Sequence, residues 1–185
     1  FLNSSLKRKV PSDAKETIKV GGKWFPHNKG GEYRKWYGNN INVVDYENDG
    51  FDIKAEKAEN LRLGLIEKKN SQCWNSEFYF KEALTWSRIS SSNFGIRYSP
   101  VGFVFDTAGT CIFADQKLLK YLLGLLTSNV VKEILLMLNP TLTFQTGDIS
   151  NIPVIFKEND VEITSKVNSS IETSKNDWDS YETSW

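Results

Sequence analysis

One histidine (His27), one methionine and two cysteines leave this chain short of the side chains from which most active sites are assembled. A nucleophile–histidine–acid triad cannot be put together around His27, and zinc sites fail for want of ligands. Cys73 and Cys111 stand apart with no CxxC spacing, which fits two buried thiols in a reducing compartment better than a disulfide framework. Glycine-rich phosphate signatures are missing too: there is no P-loop, and no GxGxxG opens a helix after a strand. No apolar run reaches the ~20 residues of a membrane span, and no signal peptide is visible, so the expected location is cytoplasmic. Net charge is also absent, with 23 Lys/Arg against 23 Asp/Glu, which argues against a protein that coats nucleic acid indiscriminately. The expectation is therefore no catalytic residue and no metal site in these residues. Asp52, Glu56, Lys57 and Glu59 form an acidic cluster, but on a good helix former they read as a solvated face rather than a nuclease centre.

What the chain has is aromatic residues and an uneven distribution of charge. Its 185 residues, 39% hydrophobic and 13% aromatic, suit one globular domain with an appendage. A start at Phe1 without an initiator Met, and an end at Trp185 inside a helical pattern, read as an excised piece of something longer. Residues 1–40 hold nine Lys/Arg against three Asp/Glu, whereas residues 126–185 hold four against nine. The basic end contains GKWFPHNKGGEYRKWYGN, residues 22–39. There Lys23, Lys29, Arg34 and Lys35 interleave with Trp24, Phe25, Tyr33, Trp36 and Tyr37 around Gly30-Gly31. Cations seek phosphate, aromatics stack on bases, and glycines let backbone approach a partner closely. The competing reading makes these aromatics core and the lysines their solvated neighbours.

In chain order, Thr17 to Val20 alternates like a strand entering the Gly21-Gly22 turn. Asn42 to Tyr46 reads as a strand, Asn48-Asp49-Gly50 as a turn and Lys54 to Lys69 as a short surface helix. Between Phe78 and Phe113 the chain is β-rich, with Trp86, Arg88 and Arg97 beside a serine-rich turn forming a second polar-aromatic patch. Asp115 can cap a buried helix over residues 116–126, and a second helix over 130–138 stops at Asn139-Pro140. Gly147-Asp148 reads as a turn and Ile152 to Ile155 as an edge strand. The tail carries a narrow seam, Ile163, Val167, Ile171, Trp178, Tyr181 and Trp185, suited to docking on a neighbouring helix that these residues do not contain.

Seven stretches together carry a resemblance. They are KWFPHNKGGEYRKWYGNN (23–40), VVDYENDG (43–50), EALTWSRISSSNFGIRY (82–98), GFVFDTAGTCIF (102–113), YLLGLLTSNVV (121–131), NPTLTFQTGDISNIPVI (139–155) and NDWDSYETSW (176–185). In this order the chain resembles the C-terminal specificity region of PglX-type adenine-specific DNA methyltransferases of BREX phage-defence systems. These are related to restriction-modification enzymes that fuse methylase and target-recognition parts. The resemblance implies a target-recognition domain, similar to the specificity subunits of type I restriction enzymes, that reads a short duplex DNA site. The family's Asn-Pro-Pro-Tyr motif and its S-adenosylmethionine-binding glycine motif are not in these residues, so cofactor and base flipping belong to a methylase domain elsewhere. The 54–75 segment is longer than the connection usual at that place.

The expectations are then specific. The fold is α+β: a twisted, mainly antiparallel sheet, a helical hairpin and a projecting C-terminal helix, with residues 1–157 as the recognition domain and 158–185 as a helical segment. Double-stranded DNA is to be met by Lys23, Lys29, Gly30, Gly31, Arg34, Lys35, Trp36, Tyr37, Asn39, Arg88, Asn93 and Arg97. Asn39 can shape the loop or pair with an adenine edge. The alternative is a protein-interaction module that recruits other defence proteins through Trp178, Tyr181 and Trp185.

Overall fold

A computed structural model describes residues 10–66, 73–90, 92–155 and 161–181. The α+β expectation holds, with two small three-stranded sheets and six helices among the described residues. In the first sheet β1 (Trp24–Asn28) lies between antiparallel β2 (Val43–Asp45) and parallel β5 (Val104–Phe105). The second is wholly antiparallel, with β3 (Ala83–Ser87) between β4 (Ile96–Ser99) and β6 (Gly109–Ile112). Every residue of β3 is buried, as befits a central strand covered on both faces.

The helices are α1 (Thr17–Val20), α2 (Glu47–Arg62), α3 (Gln116–Leu126), α4 (Asn129–Leu138), α5 (Thr146–Ser150) and α6 (Val161–Asp179). The hairpin of α3 and α4 is capped at both starts, by Asp115 accepting from the Leu118 N–H and Ser128 accepting from the Val131 N–H. The seam of α6 finds its neighbouring helix within this chain. Val167 and Ile171 pack into the core beside α3, and Gly124 of α3 leaves room for Val167 and Ile163. No single described helix is long and apolar enough to cross a membrane.

Four local expectations are corrected. Thr17 to Val20 is helical, because Asp13 caps a 3-10 turn at Ala14–Glu16 that runs straight into α1 and buries Thr17. Residues 146–150 form a helix rather than a turn, held where the Gln145 N–H donates to the Asp148 carboxylate at 2.9 Å. No strand forms at 152–155; Ile152 is a core residue, and the Ile155 carbonyl accepts from the Tyr121 hydroxyl at 2.6 Å. The helix expected at 54–69 begins earlier and ends at Arg62. It opens with Asn48, Asp49 and Gly50 all left-handed, which is the turn that triplet foretold. Residues 67–69 lie outside the described set.

Two separate hydrophobic clusters result. The larger holds Leu84, Trp86 and Ile96 from the second sheet against Leu119, Leu123, Val131 and Leu135 of the hairpin. The smaller is mostly aromatic: Phe25, Tyr46, Tyr79 and Phe80, with Val104 and Ala14. Tyr46 and Phe80 meet edge-on at 5.9 Å, and Phe25 and Phe80 at 5.3 Å.

Candidate nucleic-acid interface

The two patches seen in the sequence are brought together at one edge of the second sheet. Loop 29–39 runs along β4, where the Trp36 N–H donates to the Ile96 carbonyl at 3.0 Å and the Tyr98 N–H to that of Trp36 at 2.8 Å. Trp36 behaves as a one-residue extra strand, held at φ 70°, a region bulky side chains rarely adopt. The turn at 92–95 closes on the same loop, since any side chain at Gly95 would run into the Arg34 carbonyl. Arg88 follows β3 directly, its N–H donating to the Ala108 carbonyl at 3.0 Å, and Gly30 lies against that same carbonyl. These contacts gather loop 29–39, Arg88 and the 92–95 turn in one region, where Lys29, Gly31 and Arg88 are exposed, Asn93 is half-buried and Gly30 is buried.

The cations within it do different work. Lys29 and Arg88 are exposed, and no hydrogen bond or ion pair engages their side chains among the described residues. Lys23 pairs with Asp45 at 3.2 Å across β1 and β2, and this raises its pKa. Lys35 donates to the Thr127 carbonyl at 3.0 Å, placing a cation on the C-terminus of α3, the negative end of that helix dipole. Arg34 lies over the Trp178 ring at 4.8 Å and the Tyr181 ring at 5.8 Å, with Asp177 at 3.7 Å. Trp178 also seats against Gly38, where an added Cβ would sit only 3.0 Å from the indole. The end of α6 is thereby latched onto the loop, and two of the expected partner-binding aromatics, Trp178 and Tyr181, are engaged inside the chain. Trp185 lies outside the described residues.

The remaining expected contacts divide between shaping the loop and burial. Asn39, at φ 63°, donates its side-chain amide to the Glu32 carbonyl at 2.8 Å, closing the loop on itself. Tyr37 is half-buried against α6, and burial raises its pKa. Arg97 requires a correction. It is 2% exposed, so its guanidinium cannot reach a duplex directly in this conformation. As a residue of β4 paired with Thr85, its side chain falls on the sheet face that the loop covers. Burial pushes its pKa down to about 10.

The sequence also gave no hint of one feature. His27 is on β1 and half-buried, with Nε2 3.5 Å from the Asp106 carboxylate. Burial lowers its pKa, against the opposing pull of Asp106. The pair borders a cleft of about 940 Å³ walled by Phe78, Tyr79, Phe105 and Phe113, with Arg88 at its edge. Only the fold brings Asp106 to His27, so spacing carried no signal. No cluster of three or more His, Cys, Asp or Glu suited to a metal occurs among the described residues.

No family model matches the chain. Individual proteins do: it is 41% identical over 163 residues to the adenine-specific methyltransferase PglX of Lacticaseibacillus casei (strain Zhang), matching 88% of this chain. It is 40% identical over 170 residues to the adenine-specific methyltransferase BrxX of Escherichia coli O9:H4 (strain HS), matching 90% of this chain. This chain is homologous to a segment of PglX/BrxX adenine-specific methyltransferases. It spans about 13% of the length of each of these relatives. Such similarity along nearly the whole chain accounts for the run of motifs from residue 23 onward.

Proposed function

We propose that this chain is a target-recognition segment: it reads a short duplex DNA sequence so that an adenine-specific methyltransferase can modify an adenine within it. The observation that carries the proposal is the set of backbone contacts that gathers loop 29–39, Arg88 and the 92–95 turn in one region. Its exposed cations are Lys29 and Arg88, and the turn adds a half-buried amide, Asn93. Cations of this kind hold phosphate, while an amide or a guanidinium can read a base edge in the major groove. Arg34, Lys35, Trp36, Tyr37 and Asn39 enter as the frame that fixes the loop, because their side chains or backbones are tied to α3, α6, β4 or the loop itself. S-adenosylmethionine, on this proposal, is handled by a methylase part of the larger protein and by no residue here. Engagement of Trp178 and Tyr181 by Arg34 favours DNA recognition over recruitment of partners through α6.

The test is binding of the full chain to duplexes carrying the methylated motif of its parent enzyme, titrated across salt. Lys29→Ala should weaken binding to all sequences and reduce the slope of log affinity against log salt by about 0.9. Asn93→Ala should instead narrow the gap between matched and mismatched duplexes, each mismatch being worth about 1–3 kcal/mol. Unchanged affinity and slope in both variants would remove this surface from the DNA contact.

A further inference from the structure

Arg97 is a buried cation without a counter-ion among the described residues. An arginine stays charged in proteins, and burying a charge is tolerated when something of opposite sign sits beside it. Among the described residues nothing of that kind is present. Both terminal guanidinium nitrogens reach only the Ser87 Oγ, each at 3.5 Å, and Nε has no partner among the described residues. The other ionisable groups that act on it are the Cys111 thiol, whose own pKa burial pushes up to about 12, and a second cation, Arg34.

One side chain ties this charge to the loop. Ser87 Oγ donates to the Gly31 carbonyl at 2.9 Å, and the Gly30 backbone passes over Ser87, an added Cβ falling 3.5 Å from its Cα. Gly31 is exposed. The Ser87 hydroxyl thus links the guanidinium to the exposed Gly31, next to buried Gly30 and with Lys29 exposed on the same loop. A charge set in a low-dielectric interior is poorly screened, so its field reaches the loop to which Ser87 connects it.

We propose that Arg97 is the buried half of an anion site, whose occupant is a phosphate group seated on the Gly30-Gly31 backbone beside Lys29. The site deepens the DNA-recognition proposal and rests on it for the source of the phosphate, the backbone of a bound duplex. Free phosphate carries the same chemistry and can occupy the site alone. Arg97 acts through Ser87 and the loop and is a positioning residue.

The experiment measures the melting temperature of the full chain with and without inorganic phosphate at matched ionic strength, and in parallel its affinity for duplex DNA across salt. For the natural chain, phosphate raises the melting temperature. Arg97→Met removes the uncompensated charge: it melts no lower than the natural chain without phosphate, loses the phosphate response and binds duplex about tenfold more weakly. Arg97→Lys retains the phosphate response. Ser87→Asp supplies an internal counter-ion, so it too loses the response while Arg97 remains in place, and it serves if Arg97→Met does not fold. A phosphate response that persists undiminished in Arg97→Met or in Ser87→Asp overturns the site, as does a natural chain without any response. A response that depends on Arg97, in a chain that fails to bind duplex, leaves the anion site standing and removes the DNA reading instead.

Discussion

The two hydrophobic clusters are built from different material. The larger is dominated by aliphatic side chains of α3 and α4 laid on β3 and β4, with Leu84, Ile96, Leu119 and Leu123 wholly inaccessible. The smaller is a set of aromatic rings meeting edge-on around Phe80 and Tyr46, next to the left-handed turn at 48–50 and the cleft beside His27. The aliphatic cluster is the one that carries loop 29–39, through Trp36 and Tyr37 packed on its margin and Lys35 on the end of α3. The aromatic cluster instead sets the position of the first sheet. Structural support for the loop and shape of the cleft are therefore separable.

The strongest way to break that separation is to cut a hole in each cluster. Leu119→Ala and Phe80→Ala should each cost about 3 kcal/mol or more, from lost burial and a residual cavity. With no residue in common between the clusters, the double variant should be additive to within about 0.5 kcal/mol in urea unfolding. A coupling well above that would make them one core. A smaller effect is expected at the latch: Trp178→Ala should cost about 1–2 kcal/mol and loosen residues 33–39, detectable as faster amide exchange there.

The smallest effect concerns protonation. Burial lowers the pKa of His27, with Asp106 opposing and Lys29 assisting, so the folded chain binds this proton less readily than the unfolded one. Stability from this group is thus complete above the ordinary histidine range and declines as pH falls below about 6.5. His27→Gln should flatten urea midpoints between pH 7.5 and pH 5 relative to the natural chain.

Elements set by local signals were legible in the sequence. The α3–α4 hairpin announced itself through leucine density and the caps Asp115 and Ser128, and the Asn48-Asp49-Gly50 turn through its residue types. The aromatic-basic stretch stood out in the sequence, yet its residue types could not tell which cations face solvent and which close on the protein. Arg34 and Arg97 have the same side chain; the first is stacked on α6 and the second sealed beneath glycine. Their fates depend on strand pairing and helix docking across distant parts of the chain, which no window of sequence contains. The same holds for His27 and Asp106. Short elements fared worst: four residues of alternation at 17–20 were overruled by the 3-10 turn before them.

Recognition of DNA sequence by this segment is most directly tested by exchange. The residues of the Lacticaseibacillus casei PglX that match this chain would be replaced by it, and the genome of a strain carrying the chimera mapped for methylated adenines. Methylation at a new motif, the one belonging to the donor of this segment, is the predicted result. Methylation that continues at the recipient's original motif would contradict the account.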